Sequence, residues 1–239
     1  MPAATREWDA RAYDRLTLPH ARWGAALLDR LPLAGDEHVL DAGCGTGRDT
    51  LRLLERLPAG RVTAVDGFRA MLDRLRERLP PAERRVRLVH ADLRRLPELD
   101  APVDVVVSVA TLHWVPEADQ EVVLAGFAAA LRPGGLLAFE CGGAGNIASV
   151  VEAIRRVTGE DGAGVGWSFQ TPAAVAARLA GAGFHEVSAR LVADPAQLPD
   201  RESLAAYLRT VVLGAHLDRL PPDDHGAFVA AVVDAMPAP

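Results

Sequence analysis

The sequence predicts an α/β fold: a doubly wound, mostly parallel sheet with helices on both faces. Three observations carry that prediction. Short β-branched runs alternate with longer stretches of helical periodicity; each of the first five runs ends in turn residues that lead towards a helix; and 49% of the 239 residues are apolar. A chain of this length and apolar content buries one large core, so a single compact unit is expected.

In chain order the strands are expected at 38–41 (HVLD), 61–65 (RVTAV), 86–90 (VRLVH), 103–109 (VDVVVSV), 136–140 (LLAFE) and 185–192 (HEVSARLV). Helices fall between them at 46–57, 69–79, 117–131 and 147–157. LRPGG at 131–135 closes one of these helices and opens a strand, because Pro cannot continue a helix and Gly suits the left-handed cap. Thr171 before Pro172 reads as an N-cap with Pro at the first helical position, so TPAAVAARLAGAGF is helix, glycine stop and strand. Two helical stretches, 201–217 and 223–235, end the chain. The glycine-rich segment 159–166 reads as a loop, with Trp167 and Phe169 either lining a substrate lid or anchoring the loop to the core.

Composition removes several classes of function. The net charge is -6, and the arginines of 69–87 are interleaved with Asp73, Glu77 and Glu83, so they form a solvated face and not a phosphate-binding stripe. Nucleic acid is not an expected partner. The opening MPAATREWDARAYD has no apolar signal core, and no run approaches the roughly 18 apolar residues that span a bilayer. A soluble, cytoplasmic protein without a membrane partner is expected. Cys44 and Cys141 are far apart and lack metal-ligand spacing, so both are expected reduced and buried, with no metal bound. CxxC, HExxH and GxSxG motifs are all missing from the sequence.

The segment VLDAGCGTGRDT at 39–50 carries the chemistry. In open parallel sheets ligands bind at the carboxyl ends of the strands, and glycines there let backbone approach a ligand beside the free N–H groups of a helix start. Gly43, Gly45 and Gly47 are separated by single residues, whereas the dinucleotide fingerprint has two before its last glycine. Asp41 directly before the turn would repel a pyrophosphate and favour a cation. Asp66 ends the second strand, about twenty residues on, where an acid accepts hydrogen bonds from ribose hydroxyls. Asp92 follows the third, placed to take the amino group of a base. The set points to a positively charged nucleoside.

VLDAGCGTGRDT, TAVDGF, VRLVHADL, VDVVVSVATLHWV and LRPGGLLAFE, over about residues 36–141, resemble the successive motifs of class I S-adenosylmethionine-dependent methyltransferases. The resemblance implies a Rossmann-like sheet and S-adenosyl-L-methionine as methyl donor, leaving as S-adenosyl-L-homocysteine. It implies that the Asp41–Gly47 turn, with Gly43, Cys44, Gly45 and Gly47, holds the methionine end. Asp66 with Gly67 would hold the ribose, and Asp92 with Leu93 the adenine. The opening REWDARAYDRL and the C-terminal YLRTVVLGAHLDRLPPDDHGAFVAAVV are similar to the trans-aconitate methyltransferase-like branch, which includes carboxylate O-methyltransferases. In that branch an N-terminal segment folds over the cofactor, so residues 1–35 are expected as a helical cap on a domain spanning 36–239.

Methyl transfer from a sulfonium is an in-line displacement, so the protein chiefly aligns nucleophile, methyl and sulfur. A carboxylate acceptor, with a pKa of about 4, needs no general base; a phenol, an amine or a carbon acid can call for one. His113 lies near the expected methyl and is a candidate base or a substrate hydrogen bond. Tyr13 is expected to touch cofactor or substrate, and Trp8, Arg22, Trp114 and Trp167 are candidate substrate contacts. His20, Arg22 and Trp23 could line the entrance, the Arg fork suiting a carboxylate, and Trp114 otherwise packs on the following helix.

The family's sheet normally has a seventh, antiparallel strand between the fifth and sixth, and the sequence shows six strands and no seventh. Either a C-terminal piece is missing, or the sixth strand pairs with the fifth, or another chain fills the gap; reduced stability or a homodimer is then expected from the unfilled edge. Beside small-molecule methylation stand two alternatives that keep the cofactor site: a non-methylating cyclisation or rearrangement, and an accessory cofactor-binding subunit.

Overall fold

The computed structural model describes residues 8–16, 21–160 and 166–236. Two short helices, α1 (Ala10–Arg15) and α2 (Ala21–Asp29), precede the sheet. There follow β1 (His38–Ala42), α3 (Arg48–Arg56), β2 (Arg61–Asp66), α4 (Arg69–Arg78), β3 (Val86–His90), β4 (Val103–Val109), α5 (Gln120–Ala130) and β5 (Leu131–Glu140). The regular elements after β5 are helical: α6 (Ala148–Thr158), α7 (Pro172–Gly181), α8 (Arg201–Tyr207), a π-helical turn (Leu208–Val212), α9 (Gly214–Leu217) and α10 (His225–Ala235).

The five strands are parallel in the order β3-β2-β1-β4-β5. Strand order reverses between β1 and β4, so a crevice opens at their carboxyl ends. Every residue of β1 is buried because helices cover both faces. Alternation divides its side chains: Val39 joins Leu53 of α3 and Leu72 and Leu75 of α4 on one face, while Leu40 joins Phe127 of α5 and Leu179 of α7 on the other. A third apolar cluster stands apart from the sheet. It joins Ile154 of α6 with Leu208, Leu213, Val229 and Val232, and takes in Trp8 and Tyr13 from the N-terminal segment.

The element boundaries follow local chemistry. Thr171 caps α7 by accepting from the Ala174 N–H, with Pro172 at the first helical position as expected. The helix ahead of β5 stops at Ala130, and β5 starts at Leu131, with an irregularity that carries the pairing from Val103–Leu131 to Val105–Leu136. RPGG is therefore looped out within the strand.

The sixth strand expected at 185–192 is not formed, so the sheet has five strands and not six. Alternation is necessary for a strand, but a ladder also needs a neighbour about 4.8 Å away. This segment is held elsewhere: Val187 packs on the Phe127 cluster, and Asp194 is bonded to Arg22 and Trp23 of α2. Leu191 and Val192 remain 55% and 63% exposed, and β5 pairs on one side only among the described residues. Pairing of the sixth strand with the fifth is thus excluded. No helix among the described residues is long and apolar enough to cross a membrane.

Candidate active site

The glycine turn leaves β1 and hooks across the sheet, with the Gly43 and Cys44 N–H groups both donating to Val65 O of β2, at 2.8 and 3.0 Å. Gly43, Gly45 and Gly47 all have positive φ, which only glycine adopts at little cost. Their surroundings differ. A side chain at Gly43 would overlap Thr111, and one at Gly47 would overlap Leu75 of α4, so these two glycines serve close packing. A Cβ at Gly45 meets nothing within 4 Å: this is the position of the turn that faces open space.

Asp66, at the end of β2, accepts from the Gly45 N–H at 2.8 Å and from the Phe68 N–H at 2.9 Å. Its carboxylate thereby ties the turn to the second strand. Asp41 is 2% exposed and accepts from Thr50 Oγ1 at 2.5 Å beneath the first turn of α3. Burial, with Asp49 and Asp66 nearby, outweighs the Thr50 bond and lifts its pKa to about 7. Asp92 accepts from the Arg94 backbone N–H at 2.9 Å, and its Oδ2 from the Arg94 guanidinium at 2.5 Å; that guanidinium holds it below the usual carboxylate range. Leu93 beside it is buried.

The N-terminal segment covers this crevice. The Trp8 ring meets Tyr13, Phe68 and Trp114 edge-on, at 5.7, 6.3 and 5.5 Å between centroids. Asp14 accepts from Thr46 Oγ1 of the glycine turn and from Arg74 Nε of α4, both at 2.6 Å. Arg78 donates to the Thr46 carbonyl at 3.0 Å. Burial drives the Tyr13 hydroxyl pKa upwards, so it stays a phenol at neutral pH.

Between this cover and the ends of β4 and β5 lies a cavity of about 50 Å³. Trp8, Tyr13, His113 and Trp114 line it, together with Trp23 and Asn146. Ligand pockets generally offer about 300 Å³ or more, so this cavity by itself is smaller than a nucleoside needs. Trp114 faces this cavity and the third apolar cluster, not the helix after β4.

Other candidates lie outside the cavity. Arg22 is paired through its guanidinium with Asp194, and its side chain is 56% exposed. Trp167 stacks on Phe169 at 6.2 Å and approaches His216 at 6.1 Å. His20 and residues 161–165 of the glycine-rich segment lie outside the described residues. Cys44 is buried, Cys141 half-buried and both are free; burial raises both thiols, Cys141 to about 11, so neither is a thiolate at neutral pH.

Sequence reasoning missed Tyr207 and Val211, which reach the cavity from the C-terminal helical stretch, and the Gly142 and Asn146 wall after β5. Asn146, a polar residue in a glycine-rich turn after a strand, carried a signal. Tyr207 carried none, because its position depends on how distant helices pack.

The residues present fit a cationic nucleoside: an open glycine position, a buried acid behind the turn, and acids at the ends of β2 and β3. A family profile described as a methyltransferase domain matches residues 39–135. The chain is 31% identical to a trans-aconitate 2-methyltransferase of Azoarcus sp. over 94% of its own length and 87% of that protein's. It is 38% identical to the protein of the same name from Paracidovorax citrulli, over 56% of its own length and 50% of that relative's. The chain thus spans about half the length of several relatives it matches. A solved complex of a Haloferax volcanii methyltransferase activator with its methyltransferase superposes with a TM-score of 0.63, covering 86% of this chain and 91% of the other; at 21% identity it speaks to the fold.

Proposed function

The chain belongs to the class I S-adenosylmethionine-dependent methyltransferases, in the branch of the trans-aconitate methyltransferases, and from that premise we propose that it methylates a carboxylate oxygen of a small organic acid. The observation that carries the reading is the glycine turn, whose one open position, Gly45, is bonded to Asp66 beside an aromatic cavity.

S-adenosylmethionine, when bound, supplies a methyl group on a positively charged sulfur. In this proposal the turn from Asp41 to Gly47 holds its methionine end, Asp66 with Gly67 its ribose, and Asp92 with Leu93 its adenine. Tyr13 and Trp8 close over it and exclude water, which strengthens the electrostatic interactions beneath them. Trp114, Trp23 and His113 wall the acceptor side. Arg22 and Trp167 act at a distance from the acceptor, through the Asp194 tie and the Phe169 stack. The named relatives are methyltransferases, so a non-methylating rearrangement or an accessory-subunit role is not favoured.

The test is calorimetric titration with S-adenosylmethionine, followed by transfer of a labelled methyl group to a panel of organic acids, phenols and amines that includes trans-aconitate. The expected product is a base-labile methyl ester. Tight donor binding with no transfer to any acid would refute the reading.

A further inference from the structure

The neutral imidazole of His113 has a single basic nitrogen, and Gly142 decides which one it is. The Gly142 backbone N–H donates to His113 Nδ1 at 3.1 Å. An amide N–H offers no lone pair, so Nδ1 is the acceptor and the ring's proton resides on Nε2. Packing holds this orientation. Phe169 stacks on the ring at 5.8 Å and 29°, Trp114 lies 5.2 Å away at 43°, and the Ser168 N–H holds the His113 carbonyl at 2.8 Å. The basic lone pair is engaged with Gly142, and the ring's other polar atom is an N–H.

The rest of the cavity supplies no base either. Burial keeps Tyr13 and Tyr207 protonated, Asn146 is an amide, and no carboxylate lines the cavity among the described residues. We propose that His113 acts as a hydrogen-bond donor to the methyl acceptor through Nε2–H, that the Gly142 N–H is the group that sets this role, and that the site thereby selects acceptors whose nucleophilic atom carries no proton.

The inference rests on the methyl-transfer reading above. The acceptor oxygen forms a bond to the methyl carbon as the carbon–sulfur bond breaks, and the electron pair of that bond stays on sulfur. No proton leaves an ionised acceptor. A phenol or an ammonium group would have to lose one, and the described cavity offers no recipient. An uncharged donor also suits a nucleophile that loses its charge in the transition state, because a guanidinium in its place would stabilise the ground state more than the transition state.

Long-range proton–nitrogen correlation spectra of histidine-labelled protein, with the His113 signals assigned by their loss in His113→Gln, read the tautomer without acceptor or turnover. A protonated Nε2 and an unprotonated Nδ1 at neutral pH are expected; a protonated Nδ1 would overturn the proposal. With a carboxylate acceptor, kcat/KM should be level around pH 6.5, about where a histidine base would impose a limb. His113→Gln keeps an N–H at similar reach and should lose less than about tenfold in kcat, whereas His113→Leu should lose about 10- to 100-fold. A limb at that pH, or equal losses in the two variants, counts against the donor role. Donor binding is followed by calorimetry in the same samples. Its loss would refute the methyl-transfer reading, while normal donor binding with a protonated Nδ1 would refute this inference alone.

Discussion

Thr46 donates its hydroxyl to Asp14 at 2.6 Å, and this bond fastens the N-terminal helix to the glycine turn that follows β1. Arg74 reinforces it from α4. The cover and the glycine turn are therefore mechanically linked: a ligand that lifts α1 must break or carry this junction.

Removing the junction should loosen the cover. Asp14→Ala is expected to lower stability by about 1 to 3 kcal/mol, as for lost hydrogen bonds to a charged group, and to speed donor dissociation. Urea unfolding and stopped-flow release measure the two. Burial raises the Asp14 pKa, but the bonds from Thr46 and Arg74 outweigh it and leave the carboxyl lowered overall. Its stabilisation is therefore present above the unfolded pKa of about 4 and is lost as pH falls through the lower folded value. The wild type and Asp14→Ala should converge only in acid.

The three glycines of the turn should respond differently to alanine. At Gly45 the added methyl meets no protein atom, so Gly45→Ala should cost only the left-handed backbone strain of about 1 to 2 kcal/mol, while donor affinity falls at least tenfold. Gly43→Ala and Gly47→Ala add a clash with Thr111 or Leu75 to the same strain and should destabilise more. Thermal unfolding with donor titration checks this; a larger stability loss at Gly45 than at the other two would contradict it.

Asp66→Ala should weaken donor binding by about 1.5 to 3 kcal/mol, the size of a charge-assisted hydrogen bond. It should also destabilise the unliganded protein, because the Gly45 and Phe68 N–H groups both lose their acceptor. Unchanged donor affinity would refute the ribose assignment.

Asp41 should make stability depend on pH around neutrality. Burial raises its folded pKa to about 7, above its unfolded value of about 4, so the folded state binds the extra proton between these values. Its contribution thus declines as pH rises from about 4 to 7 and is most unfavourable above that. Asp41→Asn should remove this slope and be more stable than the wild type at pH 8, yet bind the cationic donor less well. Donor binding to the wild type should release protons near pH 7, which calorimetry in buffers of different ionisation enthalpy detects. Equal slopes for wild type and Asp41→Asn would refute the assignment.

The sequence alone identified the α/β class, the five parallel strands and the donor chemistry, because each depends on local properties. Burial on both faces is written in apolar runs such as HVLDA, and positive φ in the glycines at 43, 45 and 47. The sixth strand was misread because alternation at 185–192 describes one segment, while pairing belongs to two. Tertiary structure decided that Asp194 draws this stretch towards Arg22 and Trp23, whose positions lie 172 and 171 residues away in sequence. It likewise brought Tyr207 to the cavity and set Asp14 on Thr46 across 32 residues. The role of His113 follows the same division. Its residue type and its place after β4 are visible in the chain, but which of its nitrogens is basic depends on a backbone N–H 29 residues away, brought within hydrogen-bond distance only by the pairing of β4 with β5.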